Sequence, residues 1–443
     1  MKRRKFLSQA GALLSYPGLA SFSHLYPEKQ LNVALIGCGW YGKSDLLKLL
    51  QLEEVNVVGL SDPDDHHTKE AQTWVSNRVG QKPKIYRDHR DLLSRHSSDL
   101  VIIGSPDHWH ALHAIDAMEA GANLYLQKPV SLDVLEGEAI LATARRLNKT
   151  VQVGTQRRST PHLREAKQKI IDSGLIGKVT HVQMCCYYPM RAQLSHEIQK
   201  VPDHLDYDLW IGPAKALPYT GRPHRGYWRA KTEYSNGILG DMCVHMYDTA
   251  RWMLGLGWPE EIYSSGGIYK DKISAATTTD TQMAVFKHPE LECVWHHRTY
   301  GPAPDPNYPW SVMFYGENGV LKADVWKYDY IPRSGDPISG KATYEKEEYP
   351  EDLEERDNEL HAAPATRRHL KDLLDAIHNK SLPISDIEEG HISSAACILA
   401  NLSMKLGRSL RYDPHAKTIS GDPKATDQLH RTYRKGWKHP YFA

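Results

Sequence analysis

The sequence predicts an α/β protein in two parts: a parallel sheet flanked by helices, then an α/β domain with a large, mostly antiparallel open sheet. Up to residue 154, short apolar runs alternate with helical patterns, as they do in repeated strand–helix–strand units. Beyond residue 155, alternating or β-branched runs stand between glycine and proline signals, a pattern typical of antiparallel strands. The length of 443 residues suits two domains rather than one.

The N-terminal elements follow one another in a regular order. Each apolar run is short and is followed by a helical segment, which predicts a parallel sheet of about six strands. The predicted strands are 33–36, 55–60, 84–86, 99–105, 123–126 and 151–154, and helices are predicted after the first strand and at 65–79, 88–95, 107–121 and 132–147. Groups that bind a ligand are expected at the carboxyl ends of these strands.

A glycine-rich turn follows the first predicted strand, with Gly37, Gly39 and Gly42 in the spacing Gly-x-Gly-x-x-Gly. The first allows a tight turn, the second lets the backbone approach a pyrophosphate, and the third lets the next helix pack on the strand. Asp62 comes twenty residues after Gly42, where its carboxylate can accept ribose hydroxyls. Residues 30–154 are therefore predicted to form a Rossmann domain that binds a dinucleotide. The alternative is an ordinary α/β turn without a nucleotide.

Acidic residues near Asp62 bear on the choice of dinucleotide. Asp64 and Asp65 follow it and no arginine is adjacent, so a 2′-phosphate would meet negative charge. NAD is therefore favoured over NADP. Trp40 and Tyr41 lie inside the glycine turn and could flank the pyrophosphate, although Tyr41 also suits a helix residue that packs on the sheet.

The second domain is predicted over residues 155–412, followed by a polar tail over 413–443. A helix at 163–173 leads into an extended segment at 177–190, further strands are predicted at 261–269, 281–286, 292–298, 311–315 and 319–323, and two closing helices at 365–379 and 387–407. The stretch 191–236 is rich in proline and aromatic residues and long for a connection, which indicates an active-site lid. The charged stretch 336–364 is predicted as a surface excursion.

Composition excludes several classes of function. Lys and Arg number 55 against 54 Asp and Glu, with no basic run beyond the first five residues, so neither nucleic acid nor an anionic membrane is indicated as a partner. Six scattered cysteines without Cys-x-x-Cys spacing indicate neither a disulfide framework nor a zinc site. The 24 Tyr and 11 Trp against 5 Phe favour rings with a polar group, which suit sugar-binding clefts and also interfaces.

Residues 1–23 have the pattern of an export signal, with basic KRRKFL before a short apolar run. Arg3-Arg4 with Phe6-Leu7 resembles a twin-arginine signal, so the twin-arginine export machinery is a predicted partner and the periplasm the predicted location. The apolar run is too short for stable membrane insertion. The alternative is a disordered basic N terminus on a cytoplasmic protein.

Four sequence features stand together: the glycine turn, Ser105-Pro106 at a strand end with His110 beyond it, Lys128-Pro129 after the next strand, and GDMCVHMYD at 240–248. Together they resemble the glucose-fructose oxidoreductase / inositol dehydrogenase / rhizopine-catabolism (Gfo/Idh/MocA) family, over nearly everything after the signal. The resemblance implies an N-terminal Rossmann domain, a C-terminal α/β domain whose sheet covers the nicotinamide, and a homo-oligomer. It also implies that Lys128, Asp241 and His245 meet the substrate.

The chemistry of alcohol oxidation agrees with that implication. A hydride leaves a secondary alcohol carbon only as the hydroxyl proton is lost, so a base must lie near that oxygen and a cation must stabilise its charge. His245 suits the base and Lys128 the cation. On a helix Asp241 would share a face with His245, so its carboxylate could orient the imidazole or bind a substrate hydroxyl. A core histidine and a surface lysine are the structural alternatives.

The remaining predicted contacts come from the strand ends and the resemblance. The predicted cofactor contacts are Gly37, Gly39, Trp40, Tyr41, Gly42, Asp62, Ser105, Pro106, His110, Gln127, Lys128, Gln156, Trp228 and Arg229. The predicted substrate contacts are Arg157, Tyr187, Asp241 and His245, with Tyr188 as a further candidate and strand packing as the alternative for both tyrosines. Trp228 and Arg229 could instead form a surface cation–π pair. Gln127 departs from the family's usual glutamate and supplies no negative charge to hold Lys128 cationic.

No metal site is predicted. Cys243, His245, His296, His297 and the run from Asp107 to His110 offer ligand types, but their spacing is not that of a metal site, since Cys243 and His245 do not face each other on a helix.

These observations leave three functions open. The first is an exported, NAD-dependent oxidoreductase that acts on a secondary hydroxyl or keto group of a sugar, polyol or glycoside. The second is a glycosidase that uses bound NAD for transient oxidation and elimination; such relatives depart from the lysine-proline pair, which is kept here. The third is a non-catalytic carbohydrate-binding protein. Because a twin-arginine route carries folded proteins, we expect NAD to be tightly bound before export.

Overall fold

The computed structural model describes residues 30–189, 191–221, 227–354 and 359–443. The predicted export signal lies outside these ranges and stays a prediction. Within the described ranges, no helix has both the length and the apolar character that crossing a bilayer requires.

A six-stranded parallel sheet forms the N-terminal part of the fold. Its strands are β1 (Asn32–Ile36), β2 (Asn56–Ser61), β3 (Lys84–Tyr86), β4 (Leu100–Ile103), β5 (Asn123–Leu126) and β6 (Val151–Val153). The helices between them are α1 (Trp40–Leu52), α2 (Asp65–Val79), α3 (His89–Arg95), α4 (His110–Glu119) and α5 (Val134–Arg146). The strand order is β3-β2-β1-β4-β5-β6, so the direction of winding reverses between β1 and β4 and a crevice opens at their carboxyl ends.

Strand β1 explains why a continuous apolar run is needed here. Val33 and Leu35 belong to the apolar core on one face of the sheet, whereas Ala34 and Ile36 belong to the core on the other face. All four are at most 1% exposed. A parallel strand covered by helices on both faces has no side chain left for solvent, which is why the sequence pattern was informative.

An eight-stranded sheet dominates the rest of the chain. Its strands are β7 (Val179–Cys186), β8 (Glu261–Gly267), β9 (Thr281–Lys287), β10 (Glu292–Arg298), β11 (Trp310–Gly316), β12 (Gly319–Ala323), β13 (Lys327–Pro332) and β14 (Ile338–Lys341). Their order is β14-β13-β12-β11-β7-β10-β9-β8; β7 and β10 pair in parallel and the other neighbours are antiparallel. The predicted fold class, a parallel sheet followed by a mostly antiparallel one, is confirmed.

Helices and a small hairpin complete the second part. They are α6 (Pro161–Ala166), α7 (Tyr207–Ile211), α8 (Val244–Leu254), α9 (Ala363–Asn379), α10 (Ile387–Leu406), β15 (Tyr412–Asp413), β16 (Thr418–Ile419) and α11 (Pro423–Thr426). Short π-helical segments extend α6 and precede α8, over Lys167–Asp172 and Leu239–Cys243. The second of these carries Asp241 into the site described below.

Two strands of the eight-stranded sheet and both strands of the small hairpin were not predicted. Strand β13 was missed, and β14 lies inside the stretch expected to be a surface excursion, so that prediction is wrong over Ile338–Lys341. Strand β14 has one large apolar residue in four and pairs with β13 at the edge of the sheet. Such an edge strand is determined by its backbone hydrogen bonds to a neighbouring strand, and these cannot be predicted from the residue pattern of a single sequence.

The C-terminal tail is attached to the first sheet's helices. The Tyr433 hydroxyl donates to Glu136 Oε1 at 2.6 Å, and the Arg431 guanidinium lies 2.7 Å from the same oxygen. Glu136 is buried on α5. The stretch predicted only as a polar tail therefore neutralises a buried carboxylate on a distant helix.

Helix α9 likewise returns to the N-terminal part. Leu370 and Leu373 belong to the core that β1 supplies with Val33 and Leu35. The N-terminal part of the fold is therefore packed against two later segments of the chain, the helix α9 and the C-terminal tail.

Candidate active site

The glycine turn brings three backbone segments into close contact. Gly37 has φ of 90°, and a Cβ there would lie 2.4 Å from the backbone nitrogen of Ser105. A Cβ on Gly42 would lie 2.1 Å from the Gly37 carbonyl oxygen, whereas one on Gly39, the residue that caps α1, would meet nothing within 4 Å. Gly37 and Gly42 therefore serve close packing, and the open space at Gly39 leaves the N terminus of α1 accessible to an anion such as a pyrophosphate.

A cavity of about 770 Å³ lies over this turn at the strand ends of the parallel sheet; we call it the cofactor cavity. The predicted contacts that line it are Gly37, Gly39, Trp40, Tyr41, Asp62, Ser105, Pro106, Trp228 and Arg229. Lining residues that were not predicted as contacts include Pro63, His67, Arg87, His89, Trp109, His113, Leu209 and Trp210. Trp109 stacks on His113 with ring centroids 4.5 Å apart, and the sequence signal for it was the Asp-His-Trp-His run at a strand end.

Asp62 is oriented by two backbone donors. Its Oδ2 accepts the N–H of Cys38 and its Oδ1 accepts the N–H of Asp64, each at 2.9 Å. The side chain lines the cavity, and each carboxylate oxygen retains acceptor capacity for a ribose hydroxyl. The open helix terminus and this carboxylate together fit a dinucleotide.

An arginine lies nearer to Asp62 than adjacency in sequence indicated. Arg87, which follows β3, lines the same cavity and donates to both carboxylate oxygens of Asp65 at 2.8 and 2.6 Å. Strand β3 pairs with β2, and this pairing brings together residues that are far apart in sequence. No arginine is adjacent to the acidic group in the sequence, but the fold places Arg87 beside it.

His110 lines neither of the cavities at the site, so its prediction as a cofactor contact is corrected. Its Nδ1 lies 2.7 Å from the Pro129 carbonyl oxygen and its Nε2 lies 2.8 Å from that of Ser105. The ring is 1% exposed and joins the ends of strands β4 and β5 from behind. It is a positioning residue for both.

Gln156 and Tyr187 also differ from their predicted roles. Gln156 lines neither cavity; its amide donates to the Tyr41 hydroxyl at 2.9 Å and so holds a ring that does. The Tyr187 hydroxyl lies 2.9 Å from His296 Nδ1, and its ring lies under the Arg298 guanidinium at 4.5 Å. Tyr187 lines neither cavity, in contrast to its predicted role as a substrate contact, whereas the neighbouring Tyr188, two residues past the end of β7, lines the cavity instead.

A second cavity, of about 1620 Å³, adjoins the first and shares Trp40, Tyr41, Gly104, Ser105, Trp228 and Arg229 with it. We call it the substrate cavity. The predicted residues that line it include Gln127, Lys128, Arg157, Asp241 and His245. Lining residues for which no contact had been predicted include Asp107, Arg191, Trp310, Trp326, Glu359 and His361.

Lys128 is held by Asp241 in this cavity. Its Nζ donates to Asp241 Oδ1 at 2.6 Å and to the Asp241 carbonyl oxygen at 2.9 Å. Arg229 Nε lies 3.3 Å from the same Oδ1, and its guanidinium lies 4.2 Å above the Trp228 ring. Burial opposes ionisation of Asp241, but the charges of Lys128 and Arg229 lower its pKa to about 2. Asp241 therefore supplies the negative charge that Gln127 does not.

Gln127 faces a different carboxylate. Its amide donates to Asp45 Oδ2 at 2.7 Å, and Asp45 is 2% exposed. Burial raises the pKa of Asp45 to about 8, although the Gln127 hydrogen bond and Lys48 lower it. The amide thus joins α1 to the end of β5 behind the lysine.

His245 lines the substrate cavity and has one buried ring nitrogen that the described residues leave unpaired. The residue is 3% exposed, and its Nδ1 has no hydrogen-bond partner among the described residues. Burial, and then the charges of Lys128 and Arg157, hold its pKa well below the usual range, so the ring is neutral and Nδ1 can accept a proton. Asp241 bonds Lys128 rather than His245, since the π-helical turn at Leu239–Cys243 replaces the regular helix on which the two would share a face.

Asp107 adds a second carboxyl group to the cavity. It is 4% exposed, and burial together with the negative charge of Asp241 raises its pKa to about 8 against the lowering effects of Arg229 and Lys128. Near neutral pH the two carboxyl groups therefore differ, with Asp241 ionised and Asp107 mainly protonated.

Two groups of described residues have metal-ligand atoms within 4.8 Å of one another: Asp64, His66 and His204, and Asp133, Glu136 and His439. Both have protein partners. His204 Nδ1 lies 2.9 Å from Asp64 Oδ1, and Arg431 binds Glu136. Neither group lies among the residues that line the substrate cavity.

Family models match most of the chain. An oxidoreductase-family model with an NAD-binding Rossmann fold matches residues 31–155. A model of the oxidoreductase-family C-terminal alpha/beta domain matches 162–262 and 337–439, and a model of the GFO/IDH/MocA C-terminal domain matches 214–322.

Individual relatives are distant. An uncharacterized oxidoreductase, YrbE of Bacillus subtilis, is 27% identical over 302 residues, which are 67% of this chain and 74% of YrbE. An alpha-N-acetylgalactosaminidase of Shewanella oneidensis is 29% identical over 170 residues, 37% of this chain and 36% of that enzyme.

Solved structures share the fold. A myo-inositol 2-dehydrogenase from Lactobacillus plantarum is 19% identical with a TM-score of 0.62, over 87% of this chain and 100% of that one. An oxidoreductase from Agrobacterium radiobacter, solved with NAD+, L-tartaric acid and magnesium, is 14% identical with a TM-score of 0.66, over 86% of this chain and 98% of that one.

Proposed function

Because this chain belongs to the Gfo/Idh/MocA family of NAD-binding oxidoreductases, we propose that it moves a hydride between NAD and a secondary hydroxyl or keto group of a sugar, polyol or glycoside. The observation that carries the proposal is the shared wall of the two cavities. Trp40, Tyr41, Ser105 and Arg229 line both, while Lys128 and His245 face only the substrate cavity. A nicotinamide at that wall would lie beside a base and a cation.

The bound nicotinamide supplies the carbon that accepts or returns the hydride. The imidazole of His245, which is neutral and lines the substrate cavity, takes the proton of the substrate hydroxyl. Lys128, fixed by two hydrogen bonds from its ammonium to Asp241, donates to the same oxygen and stabilises its charge. Trp228 and Arg229 close the shared wall and exclude water from the reacting groups.

NAD rather than NADP is part of the proposal. Its support is Asp62, aimed at the position of the ribose, and the pairing of Arg87 with Asp65, which occupies the guanidinium that a 2′-phosphate would need.

The test starts with the purified full chain. NAD and NADP are titrated by fluorescence, and a panel of sugars, polyols and keto-glycosides is then screened for a change in the redox state of the cofactor. Binding of NAD and turnover of a carbohydrate by the wild type would support the proposal. Absence of NAD binding, or unchanged turnover in Lys128→Ala and His245→Ala, refutes it.

An NAD-dependent glycosidase is the second candidate and is not favoured. Its support is the match to the Shewanella enzyme, which covers only 37% of this chain. If the protein released free sugar from a nitrophenyl glycoside without net formation of NADH, the glycosidase activity would be established and the proposed oxidoreductase activity would not. A non-catalytic sugar-binding protein is opposed by the intact set of Lys128, Asp241 and His245.

Three further properties belong to the proposal. Export to the periplasm by the twin-arginine machinery is supported by the Arg3-Arg4 pattern. A homo-oligomer is supported by the exposed face of the eight-stranded sheet. Tight NAD binding is supported by the need to retain the cofactor outside the cytoplasm. Native mass spectrometry of the exported fraction reports all three. A cytoplasmic, monomeric chain that loses NAD on dialysis would contradict them.

A further inference from the structure

Four cationic side chains line the substrate cavity: Lys128, Arg157, Arg191 and Arg229. Three have anionic partners. Lys128 donates to Asp241 at 2.6 Å, Arg229 lies 3.3 Å from the same carboxylate, and Arg191 donates to Asp271 Oδ2 at 2.6 Å. Arg191 also donates to three carbonyl oxygens, so every nitrogen of its guanidinium has a protein partner.

Arg157 differs from the other three. It is 2% exposed, and its Nε and Nη1 atoms have no hydrogen-bond partner in the described part of the chain. Glu359 lines the same cavity and its charge favours the protonated guanidinium, yet the two form no ion pair within the described residues. A buried guanidinium without a partner is costly unless a ligand supplies the acceptor.

Trp310 fixes the position of this guanidinium relative to the reacting groups. The Arg157 guanidinium lies 5.2 Å from the centre of the Trp310 ring, and the His245 ring centre lies 5.9 Å from it on an edge-to-face contact. The indole N–H donates to the Met242 carbonyl at 3.3 Å, which holds the ring in place. The arginine and the base therefore contact the same indole and lie close enough together for one small molecule to reach both.

We propose that the carbohydrate substrate carries a carboxylate that Arg157 binds, while the hydroxyl to be oxidised faces Lys128 and His245. This inference rests on the proposed function and names its substrate class, a sugar acid such as a uronate. A planar monoanion matches the guanidinium fork. A phosphate dianion fits less well, because Glu359 lies in the same cavity and the other three cations are already paired.

The experiment measures binding of D-glucuronate, D-glucose and glucose 6-phosphate by tryptophan fluorescence, with and without NADH, in the full chain. We expect glucuronate to bind wild type at least tenfold more tightly than glucose. Arg157→Met should weaken glucuronate binding by roughly 10- to 100-fold, as expected for loss of a charge-assisted hydrogen bond, and leave the NADH titration unchanged. Arg157→Lys should recover part of the preference.

Arg164→Met, an exposed arginine on α6, is the matched control and should behave as wild type. If Arg157→Met does not fold, Glu359→Gln provides the test without touching the arginine, because loss of the repelling carboxylate should tighten glucuronate binding and not glucose binding. Equal affinities for the acid and the neutral sugar, preference for the phosphate, or an Arg157→Met defect in NADH binding alone would overturn the inference. Failure of the proposed function is separate, since it appears as absent NADH binding whatever the sugar preference.

Discussion

The cofactor cavity and the substrate cavity meet at one wall but are built in different ways. Most of the cofactor cavity comes from residues 36–113, at the ends of consecutive parallel strands and the turns after them. The substrate cavity draws on residues from 40 to 361, including a π-helical turn, the strand β11 and the segment before α9. Local sequence therefore specifies the first, whereas the second exists only when distant segments have packed together.

The largest effect that would sharpen this comparison is expected at Lys128. Lys128→Met removes the cation at the reacting oxygen and should lower kcat by on the order of 1,000-fold, because groups of this kind contribute roughly 100- to 10,000-fold. NAD affinity should stay near the wild-type value, as measured by fluorescence titration. Lys84→Met, on an exposed strand edge, is the control. A large loss of NAD affinity would show that the two cavities are not separable.

A smaller effect is expected at Asp62, and it should change NAD affinity rather than kcat. Asp62→Ala removes the carboxylate proposed to bind the ribose and should weaken NAD binding by roughly 10- to 100-fold, the loss of one to two hydrogen bonds to a charged group. At saturating NAD, kcat should remain within a few-fold of wild type. Steady-state kinetics over a range of NAD concentrations separates the two parameters, and a kcat loss as large as that of Lys128→Met would contradict the division.

His110 should affect both cavities to a similar, moderate degree. It contacts the Ser105 carbonyl on the cofactor side and the Pro129 carbonyl on the substrate side. His110→Phe loses both contacts and should weaken NAD binding and lower kcat by up to about tenfold each, since a neutral imidazole has one N–H and donates to one of the two carbonyl oxygens, a hydrogen bond that contributes about 1 kcal/mol. The same kinetic series measures both, and a change in only one would assign His110 to that side.

The smallest effect concerns the pH dependence of stability, through Asp107. The pKa of Asp107 is raised to about 8 by burial and by Asp241. At pH values between the ordinary pKa of an aspartic acid and about 8, the native state therefore keeps a proton that the unfolded chain has already released. The native state is therefore progressively destabilised as the pH rises from about 4 to 8. Asp107→Asn cannot lose this proton, so its melting temperature relative to wild type should rise by a few degrees between pH 6 and pH 9. Parallel pH dependences of the two proteins would disprove the shift.

Sequence patterns were most informative where local geometry leaves few choices. Gly37 and Gly42 are predictable because any side chain at either position would overlap backbone atoms. Strand β1 is predictable because burial on both faces demands an apolar residue at every position. The edge strand β14 has neither constraint, and it was missed.

The sequence predicted which residues line the substrate cavity more successfully than it predicted their hydrogen-bond partners. Asp241 was expected to share a helix face with His245, and the π-helical turn directs it to Lys128 instead. Tyr187 is the predicted contact and Tyr188 a further candidate, yet Tyr188 lines the cavity while the Tyr187 hydroxyl contacts His296. Arg87 likewise reached the cofactor cavity through strand pairing, which adjacency in sequence cannot show.

The sequence by itself determined the alternation of parallel strands and helices and the glycine turn, because both depend on contacts within a few turns of chain. Asp62, Lys128 and His245 stay predictions of the sequence. The tertiary structure alone decided that Asp241 holds Lys128, that His110 supports the site from behind, and that Arg157 is buried with no hydrogen-bond partner for its Nε and Nη1 among the described residues. Those outcomes depend on charges and hydrogen bonds between segments that only packing brings together, and their energies do not exist in the separate segments.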